Sequence, residues 1–162
     1  MTTTGGFTSN QLINEEQILI LPSLDLAGAL EIGEIAKSLA VLRKLPIAIQ
    51  VRLDDWIIYH ASLPGSKPEN DWWISRKARV VMLKHHSTMH ERVSAEERGV
   101  DWHKENNLLD ETHAIYGGGL PLITKENGFA GVLLISGLPQ VEDHLLGVEA
   151  LTEYLACKGG LL

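Results

Sequence analysis

Hydrophobic and polar positions in the first part of the chain predict a helix followed by a strand. Residues 9–17 are polar with a few apolar positions, and Ser9 is of the type that caps a helix N-terminus. Residues 18–21 form a short apolar run that ends at Pro22. Such a run, bounded by a residue that breaks regular structure, is typical of a buried strand.

A second helix is predicted from a cap at Ser23 or Asp25 to about Arg43. Its apolar residues recur at steps of three and four, which is the pattern of an amphipathic helix. Three further apolar residues lie outside that stripe: Ile32, Ile35 and Leu42. A helix that is apolar on more than one face must be covered on more than one face, so we expect the core or a second subunit to cover it.

Two pairs of apolar runs predict antiparallel hairpins. Residues 46–52 and 56–61 are rich in strand-forming side chains and are separated by a connection too short for any other arrangement. Residues 120–124 and 129–135 flank Asn127 and Gly128, a pair that favours a tight turn between strands. Pro121 indicates either that the first strand of this second pair is an edge strand or that Pro121 lies at the start of the strand.

Three more helices complete the predicted elements. Asp71 is placed to cap a long helix that runs to about His90, and Ser94 with Glu97 has the spacing of a capping box for a further short helix. Pro139 suits the first position of a helix that extends to about residue 156. About five strands joined mainly by hairpins, with flanking helices, predict an α+β layer rather than a doubly wound fold.

Length and composition indicate one globular domain. At 162 residues the chain matches a single domain, which we assign to residues 9–162 after a flexible leader over residues 1–8. It contains no apolar run long enough to span a membrane and begins without a secretory signal, so we expect a cytoplasmic protein. Cys157 is the only cysteine, which excludes an intrachain disulfide.

Charge argues against nucleic acid as a partner. The net charge is −7, whereas nucleic-acid binding depends on neutralising phosphates with lysine and arginine. One basic run remains, Arg76-Lys77-Ala78-Arg79, and the pattern favours a solvated helix face for it. The same two neighbouring cations, Arg76 and Lys77, would also suit an acidic small ligand.

Histidines are concentrated in the middle of the chain. Five of the seven fall within thirty residues, and His86 and His90 are four apart, a spacing that lets two imidazoles on a helix share one metal. Glu91 or Asp101 could add a carboxylate. Position 87 is Ser, however, where the zinc motif of metalloproteases has Glu. Solvent-facing polar side chains are the alternative interpretation.

Non-covalent haem is also compatible with the sequence. Haem iron takes an axial ligand such as His, Met, Cys or Tyr in an apolar pocket. The chain lacks the attachment motif of covalent haem proteins, and four residues are candidate axial ligands: His60, His86, Met89 and His90.

The start of the last helix carries adjacent acidic and imidazole groups. Asp143 and His144 could orient one another for catalysis, but no Gly-x-Ser-x-Gly elbow accompanies Ser136, so a Ser-His-Asp triad is not indicated. Carboxylates in the first turns stabilise the helix dipole, and His144 shares a helix face with Val148 and Leu151. A hydrogen-bonded, partly buried histidine is therefore the structural alternative.

Gly117-Gly118-Gly119 precedes a predicted strand and allows two interpretations. Glycine permits positive φ and close approach, so the run could present backbone N–H groups to an anion. It lacks the lysine and hydroxyl residue of a phosphate loop, and a backbone bend at the start of the strand is the alternative.

Several of these segments together resemble a known family. SGLPQVEDH at 136–144, followed by VEAL at 148–151, is similar to the signature of an uncharacterised family grouped with the GlcG and HbpS-like "haem-degrading domain" proteins. DWWISRK at 71–77, HST at 86–88 and the glycines before Leu120-Pro121 resemble further landmarks. The resemblance implies a profilin-like antiparallel sheet with flanking helices, homo-oligomeric assembly and, in some members, haem binding.

Three functional hypotheses follow. The leading one is an α+β homo-oligomer that binds haem or an acidic metabolite in a cleft between subunits, lined by Arg76, His86, Gly118, Asp143 and His144. The second is a non-enzymatic interaction or scaffold module that uses the apolar helix of residues 25–43 for assembly. The third is a metal-dependent enzyme that uses His86 and His90.

Overall fold

A four-stranded antiparallel sheet forms the central layer of the computed structural model, which describes residues 4–158. Within these residues the elements follow the order α1 (Ser9–Ile18), α2 (Leu26–Leu42), β1 (Ala48–Leu53), β2 (Trp56–Ser62), α3 (Pro68–Lys84), α4 (Thr88–Arg98), α5 (Trp102–Asn106), β3 (Gly119–Thr124), β4 (Gly128–Ser136) and α6 (Gln140–Cys157). The predicted α+β class is confirmed.

The sheet consists of two hairpins joined side by side. The strand order is β2-β1-β4-β3, so β1 and β4 are central and pair antiparallel, with Ala48 opposite Ser136. Both predicted hairpins are present, and the second turns through residues 125–127, after which Gly128 begins β4 with φ 74°. Pro121 lies in β3, which is an edge strand as predicted. Proline has no N–H to donate, and an edge strand tolerates this because it has no partner strand on its outer side.

Helices cover both faces of the sheet. On one face α3 packs Ile74, Ala78 and Val81 against Val132 and Leu134 of β4. On the other face α2 and α6 enclose the larger core, whose buried members include Ile32, Ala36, Leu133, Ile135 and Leu151. In the described part of the chain, no helix has the length and apolar character that crossing a membrane requires.

The apolar run over residues 18–21 is not a strand, and the sheet therefore has one strand fewer than predicted. Ile18 ends α1, and only Leu21 pairs with the sheet, in a single parallel bridge to Thr124. Leu21 donates its N–H to the Ile123 carbonyl and accepts from Lys125. Thr8, not Ser9, caps α1, since its side chain accepts the Gln11 N–H.

The long helix predicted to run to His90 is divided in two. It begins at Pro68, so Asp71 lies in the first turn rather than at the cap, and it ends at Lys84. His85 has left-handed backbone geometry (φ 59°), after which the Ser87 hydroxyl accepts the His90 N–H and begins α4. The prediction of a separate helix that begins at Ser94 is wrong, because Ser94 lies inside α4.

Helix α1 is attached to the rest of the fold through both apolar and polar side chains, and its Leu12 is buried with Met89 and Val93. Ser9 donates to Glu97 at its first turn, and Glu15 and Glu16 reach two different histidines at its end. Of the leader predicted over residues 1–8, residues 1–3 lie outside the described chain. Thr4 is buried, and the Phe7 ring packs edge-on against His144.

Candidate functional site

A cavity of about 410 Å³ opens where α3, the end of β4 and the beginning of α6 meet. Ser136 ends β4, Gly137 turns the chain with φ of 144°, and Pro139 caps α6. The cavity is thereby placed beside the first turns of α6. Its lining combines aromatic, amide, hydroxyl and charged side chains: Asn70, Trp73, Lys77, Tyr116, Ser136, Gly137, Leu138, Gln140 and Asp143.

Lys77 and Asp143 form an ion pair that faces this cavity. The Lys77 Nζ donates to the Ile135 carbonyl at 2.9 Å and to Asp143 Oδ2 at 3.3 Å. The two side chains are only 4% and 2% exposed. Asp143 Oδ1 also accepts the Leu138 N–H at 3.0 Å, which holds the carboxylate in place. Lys77 therefore joins α3 to both the sheet and α6.

Burial sets the proton affinities of both groups. Desolvation raises the pKa of the Asp143 carboxyl to about 6, against the opposing effects of Lys77 and the backbone N–H groups. Desolvation also lowers the pKa of the Lys77 ammonium, although Asp143 opposes that change. An acid and an amine whose pKa values move toward neutrality in a cavity are typical of a functional site.

Gly118 lies directly beside this ion pair. Its φ is 125°, and a Cβ at this position would lie 2.7 Å from Lys77 Nζ and 3.1 Å from Asp143 Cβ. The same Cβ would overlap the Ile135 carbonyl oxygen. A bend before β3 is confirmed, and the structure brings Gly118 and Asp143, two of the predicted site residues, together with Lys77.

Arg76 is next to Lys77 in the chain but points elsewhere. Its guanidinium lies 4.1 and 4.4 Å from the Trp72 and Trp73 ring centroids. It also pairs with Asp110, through the backbone carbonyl at 2.7 Å and the carboxylate at 2.9 Å. The solvated helix face predicted for this basic run is wrong for Arg76 and Lys77, which are both buried.

His144 does not line the cavity, although it directly follows Asp143 on α6. It is wholly buried, and its Nε2 pairs with Glu15 Oε1 at 2.7 Å. Its Nδ1 is buried without a hydrogen-bond partner among the described residues. Asp143 and His144 therefore do not orient one another, because successive helical residues point in different directions. The structural alternative describes His144 better, with complete rather than partial burial.

His86 and His90 do approach one another, at a ring-centroid distance of 4.6 Å. His86 Nδ1 contacts Glu16 at 2.7 Å, and His90 Nδ1 contacts Glu91 at 3.1 Å. Asp101 instead caps α5. Over residues 4–158 no group of three or more His, Cys, Asp or Glu side chains has a metal-binding arrangement, and a shared metal at this pair stays a prediction.

None of the four candidate axial ligands for haem lines the cavity. Met89 is buried in a small cluster with Leu12 and Val93. His60 lies on β2, where its Nδ1 contacts the Gln50 amide at 3.1 Å. Among the residues that line the cavity, only Tyr116 is of an axial-ligand type.

The sequence prediction missed most of the residues that form the cavity. Trp73 and Gln140 lie in segments that resemble the family, but no local pattern marked Asn70, Trp73, Tyr116 or Gln140 as site residues, because they meet only through tertiary packing. Lys77 did carry one: it lies three residues after Ile74 and four before Val81, on the stripe that packs against the sheet. A charged residue on a core-facing stripe indicates a special environment.

Comparison with known proteins assigns the family. The sequence profile described as "Haem degrading protein HbpS-like" matches residues 24–152. The chain belongs to this HbpS-like family. It is also 36% identical over 148 residues to a UPF0303 protein of Streptomyces avermitilis, a match that covers 91% of each chain. The family resemblance noted in the sequence is confirmed.

Solved structures share the fold of this chain. The Ybr137w protein superposes with a TM-score of 0.84 at 23% identity, covering 91% of this chain and 88% of that one. A complex of PduOC with haem superposes with a TM-score of 0.68 at 17% identity, covering 80% and 94%. The HbpS-like domain matched here includes every residue that lines the cavity.

Proposed function

We propose that this protein binds a small organic ligand through an acidic group, in the cavity beside Lys77 and Asp143. The observation that carries the proposal is the buried Lys77 ammonium, whose Nζ faces a cavity with a single carboxylate as its charged partner. A buried cation of this kind is a recognition point for a second carboxylate, because attraction between charges is strong where water is excluded.

The walls of the cavity suit an organic acid. Trp73 and Tyr116 meet edge-to-face at 5.2 Å and provide an apolar surface for the body of a ligand. Asn70, Ser136 and Gln140 provide hydrogen-bonding groups beside Lys77. The volume of about 410 Å³ falls within the range typical of small-molecule sites.

Haem and a small acidic metabolite share the chemistry that this cavity recognises, since haem carries two carboxylates. The PduOC structure is a haem complex, and the family description names haem degradation, which supports the haem form of the proposal. The small size of the cavity and its lack of histidine support the metabolite form. Tyr116 is the group that would face the iron of a haem bound here.

Calorimetry with defined probes tests the proposal. Haemin, benzoate and succinate are titrated into wild-type protein, into Lys77→Met and into Lys125→Met, whose lysine is exposed in the turn after β3. We expect at least one probe to bind wild type and Lys125→Met equally, and Lys77→Met at least about tenfold more weakly. Circular dichroism verifies that each variant is folded. Binding that is independent of Lys77 contradicts the proposal.

A haem-specific readout separates the two forms of the ligand. Haemin bound through Tyr116 gives a Soret band that changes in Tyr116→Phe. A small acid, in contrast, should bind Tyr116→Phe and wild type with the same affinity. A Soret change that depends on His86 or His90 instead would move the haem site away from this cavity.

We also propose that the protein assembles as a homo-oligomer through α2. Several large apolar side chains of α2 are exposed in the single chain: Leu26, Leu30, Val41 and Leu42. Exposed apolar residues on one helix favour an interface. Light scattering tests this, because Leu30→Glu with Leu42→Glu should reduce the measured mass. A cavity that becomes covered in the oligomer would favour the scaffold hypothesis over ligand binding.

The metal hypothesis has one observation in its favour. Both His86 and His90 place a carboxylate on Nδ1, the arrangement that orients metal-bound imidazoles. Chelation followed by addition of Zn²⁺ or Ni²⁺ tests it. One equivalent that rebinds to wild type and not to His86→Ala would support this site, and equal retention by both proteins would dismiss it.

A further inference from the structure

We propose that the Lys77 amine is a nucleophile that captures an aldehyde or ketone in this cavity as an imine. The inference rests on the proposed function in one respect, since both place a small ligand in the same cavity. It adds a covalent step and a ligand class that recognition of an acid does not require.

The geometry around Lys77 leaves one direction open. A neutral amine has two N–H bonds and one lone pair, and two acceptors are already present: the Ile135 carbonyl at 2.9 Å and Asp143 Oδ2 at 3.3 Å. Gly118 packs closely against Nζ on another side and allows this position of the amine, since a Cβ there would lie only 2.7 Å from Nζ. The lone pair is therefore free for a ligand in the cavity that Lys77 lines.

Burial provides the reactive form of the amine. Only 4% of the Lys77 side chain is exposed, and desolvation lowers the pKa of its ammonium. A larger fraction of Lys77 is therefore neutral near pH 7 than of a lysine in water. Desolvated lysines of this kind form Schiff bases with carbonyl compounds, whereas exposed lysines remain protonated.

The condensation balances with the two groups present. The ammonium first transfers a proton to the Asp143 carboxylate, and the neutral amine then adds to the carbonyl carbon, forming a C–N bond while the C=O π electrons move to oxygen. Asp143 protonates that oxygen, regains a proton from the nitrogen and delivers it to the departing hydroxyl. Water leaves as the nitrogen lone pair forms C=N⁺. The products are an iminium, an Asp143 carboxylate and one water.

Asp143 is suited to this exchange by position and by proton affinity. The pKa of its carboxyl is raised to about 6, which allows it to accept and donate a proton near neutral pH. The iminium that forms is again a cation beside the same carboxylate. The buried ion pair is thus present before and after the reaction, and no unpaired charge remains in the core.

Reductive trapping on the native protein tests the proposal. Propanal and sodium cyanoborohydride are added at pH 7, and peptide mass spectrometry measures N-propylation at Lys77 and at exposed Lys125 over time. We expect Lys77 to be modified at least about tenfold faster, because desolvation lowers its pKa and makes a larger fraction of the amine neutral. Asp143→Asn should slow Lys77 modification at least about tenfold and leave Lys125 unchanged.

Two results would overturn the inference. If Lys77 is modified no faster than Lys125 in folded wild type, the ion pair of Lys77 and Asp143 only connects α3 to α6. An equal rate in wild type and folded Asp143→Asn removes Asp143 from the proton transfers. Carboxylate binding without modification of Lys77 rejects the imine but supports the proposed acid ligand. Modification of Lys77 without carboxylate binding supports the imine but rejects the acid ligand.

Discussion

Lys77 and Asp143 are 66 positions apart in the chain, yet Lys77 Nζ lies 3.3 Å from Asp143 Oδ2 in a nearly water-free contact. Each side chain needs the other, because neither α3 nor α6 offers a second group of opposite charge at this point among the described residues. This pair therefore links α3 to α6 directly beside the cavity.

Removing one partner should be far more costly than removing both. Lys77→Met leaves a buried carboxylate without its cation, and we expect the free energy of unfolding to fall by about 3–5 kcal/mol. Lys77→Met with Asp143→Leu should recover most of that loss, because apolar side chains replace both charges. Urea denaturation at pH 7 measures the values. A single variant within about 1 kcal/mol of wild type would show that the pair is unimportant.

Binding of a carboxylate ligand should strengthen as pH falls from 7 to 5. The pKa of Asp143 is raised to about 6, so its protonation in this range changes the charge of the pair from zero to +1. A ligand carboxylate with a pKa of about 4 remains ionised. We expect an increase in affinity of about tenfold or more. Titration calorimetry at four pH values measures it, and Asp143→Asn should bind tightly without pH dependence.

Substitution at Gly118 should be more harmful than at another glycine with positive φ. Gly128 (φ 74°) has nothing within 4 Å of an added Cβ, so Gly128→Ala costs only the backbone strain, about 1–2 kcal/mol. Gly118→Ala adds overlap with the Ile135 carbonyl, which we expect to cost about 1–3 kcal/mol more. Thermal denaturation compares the two variants. Equal losses would indicate that the space beside Lys77 is not tightly packed.

His144 should affect stability rather than ligand binding. His144→Ala removes a wholly buried ring and leaves Glu15 without its 2.7 Å partner, for an expected loss of about 2–4 kcal/mol. Because His144 does not line the cavity, folded His144→Ala should retain the affinity of wild type for the same probe. A stable variant that has lost binding would support the predicted role of His144 in ligand binding.

The contact between His86 and Glu16 should stabilise the protein more at pH 6 than at pH 8.5. The hydrogen bond to Glu16 raises the pKa of His86 above its ordinary 6.5. The stability it contributes is fully present below 6.5 and is lost as pH rises through the raised value. Melting temperatures of wild type and Glu16→Gln should therefore differ most at low pH. A difference that grows with pH would contradict this.

Local signals in the sequence predicted the elements whose boundaries are local. Asp25, one of the two predicted caps, accepts the Gly28 N–H at the start of α2, and a tight turn before Gly128 joins β3 to β4 as expected. The break at His85 was missed, because left-handed geometry at a residue other than glycine has no strong sequence signal. The apolar pattern on either side of it continues at helical spacing.

The candidate site was predictable only in part, for a related reason. Asp143 and Gly118 belong to segments with a recognisable pattern, so both could be selected. Their partner Lys77 stood in a basic run that resembles a solvated helix face, and only its i+3 relation to Ile74 contradicted that view. Pairings between distant segments depend on packing, which a local pattern does not specify.

Helix α1 lies before residue 24, where the match to the family profile begins. A shortened protein that starts at that boundary would retain the sheet and the cavity but would lose Glu15, Glu16 and Phe7 together. It would expose the His144 imidazole and the apolar cluster around Met89 to water. The segment that the family profile matches is thus smaller than the folding unit, and fragments designed from that match alone should aggregate unless the N-terminal helix is included.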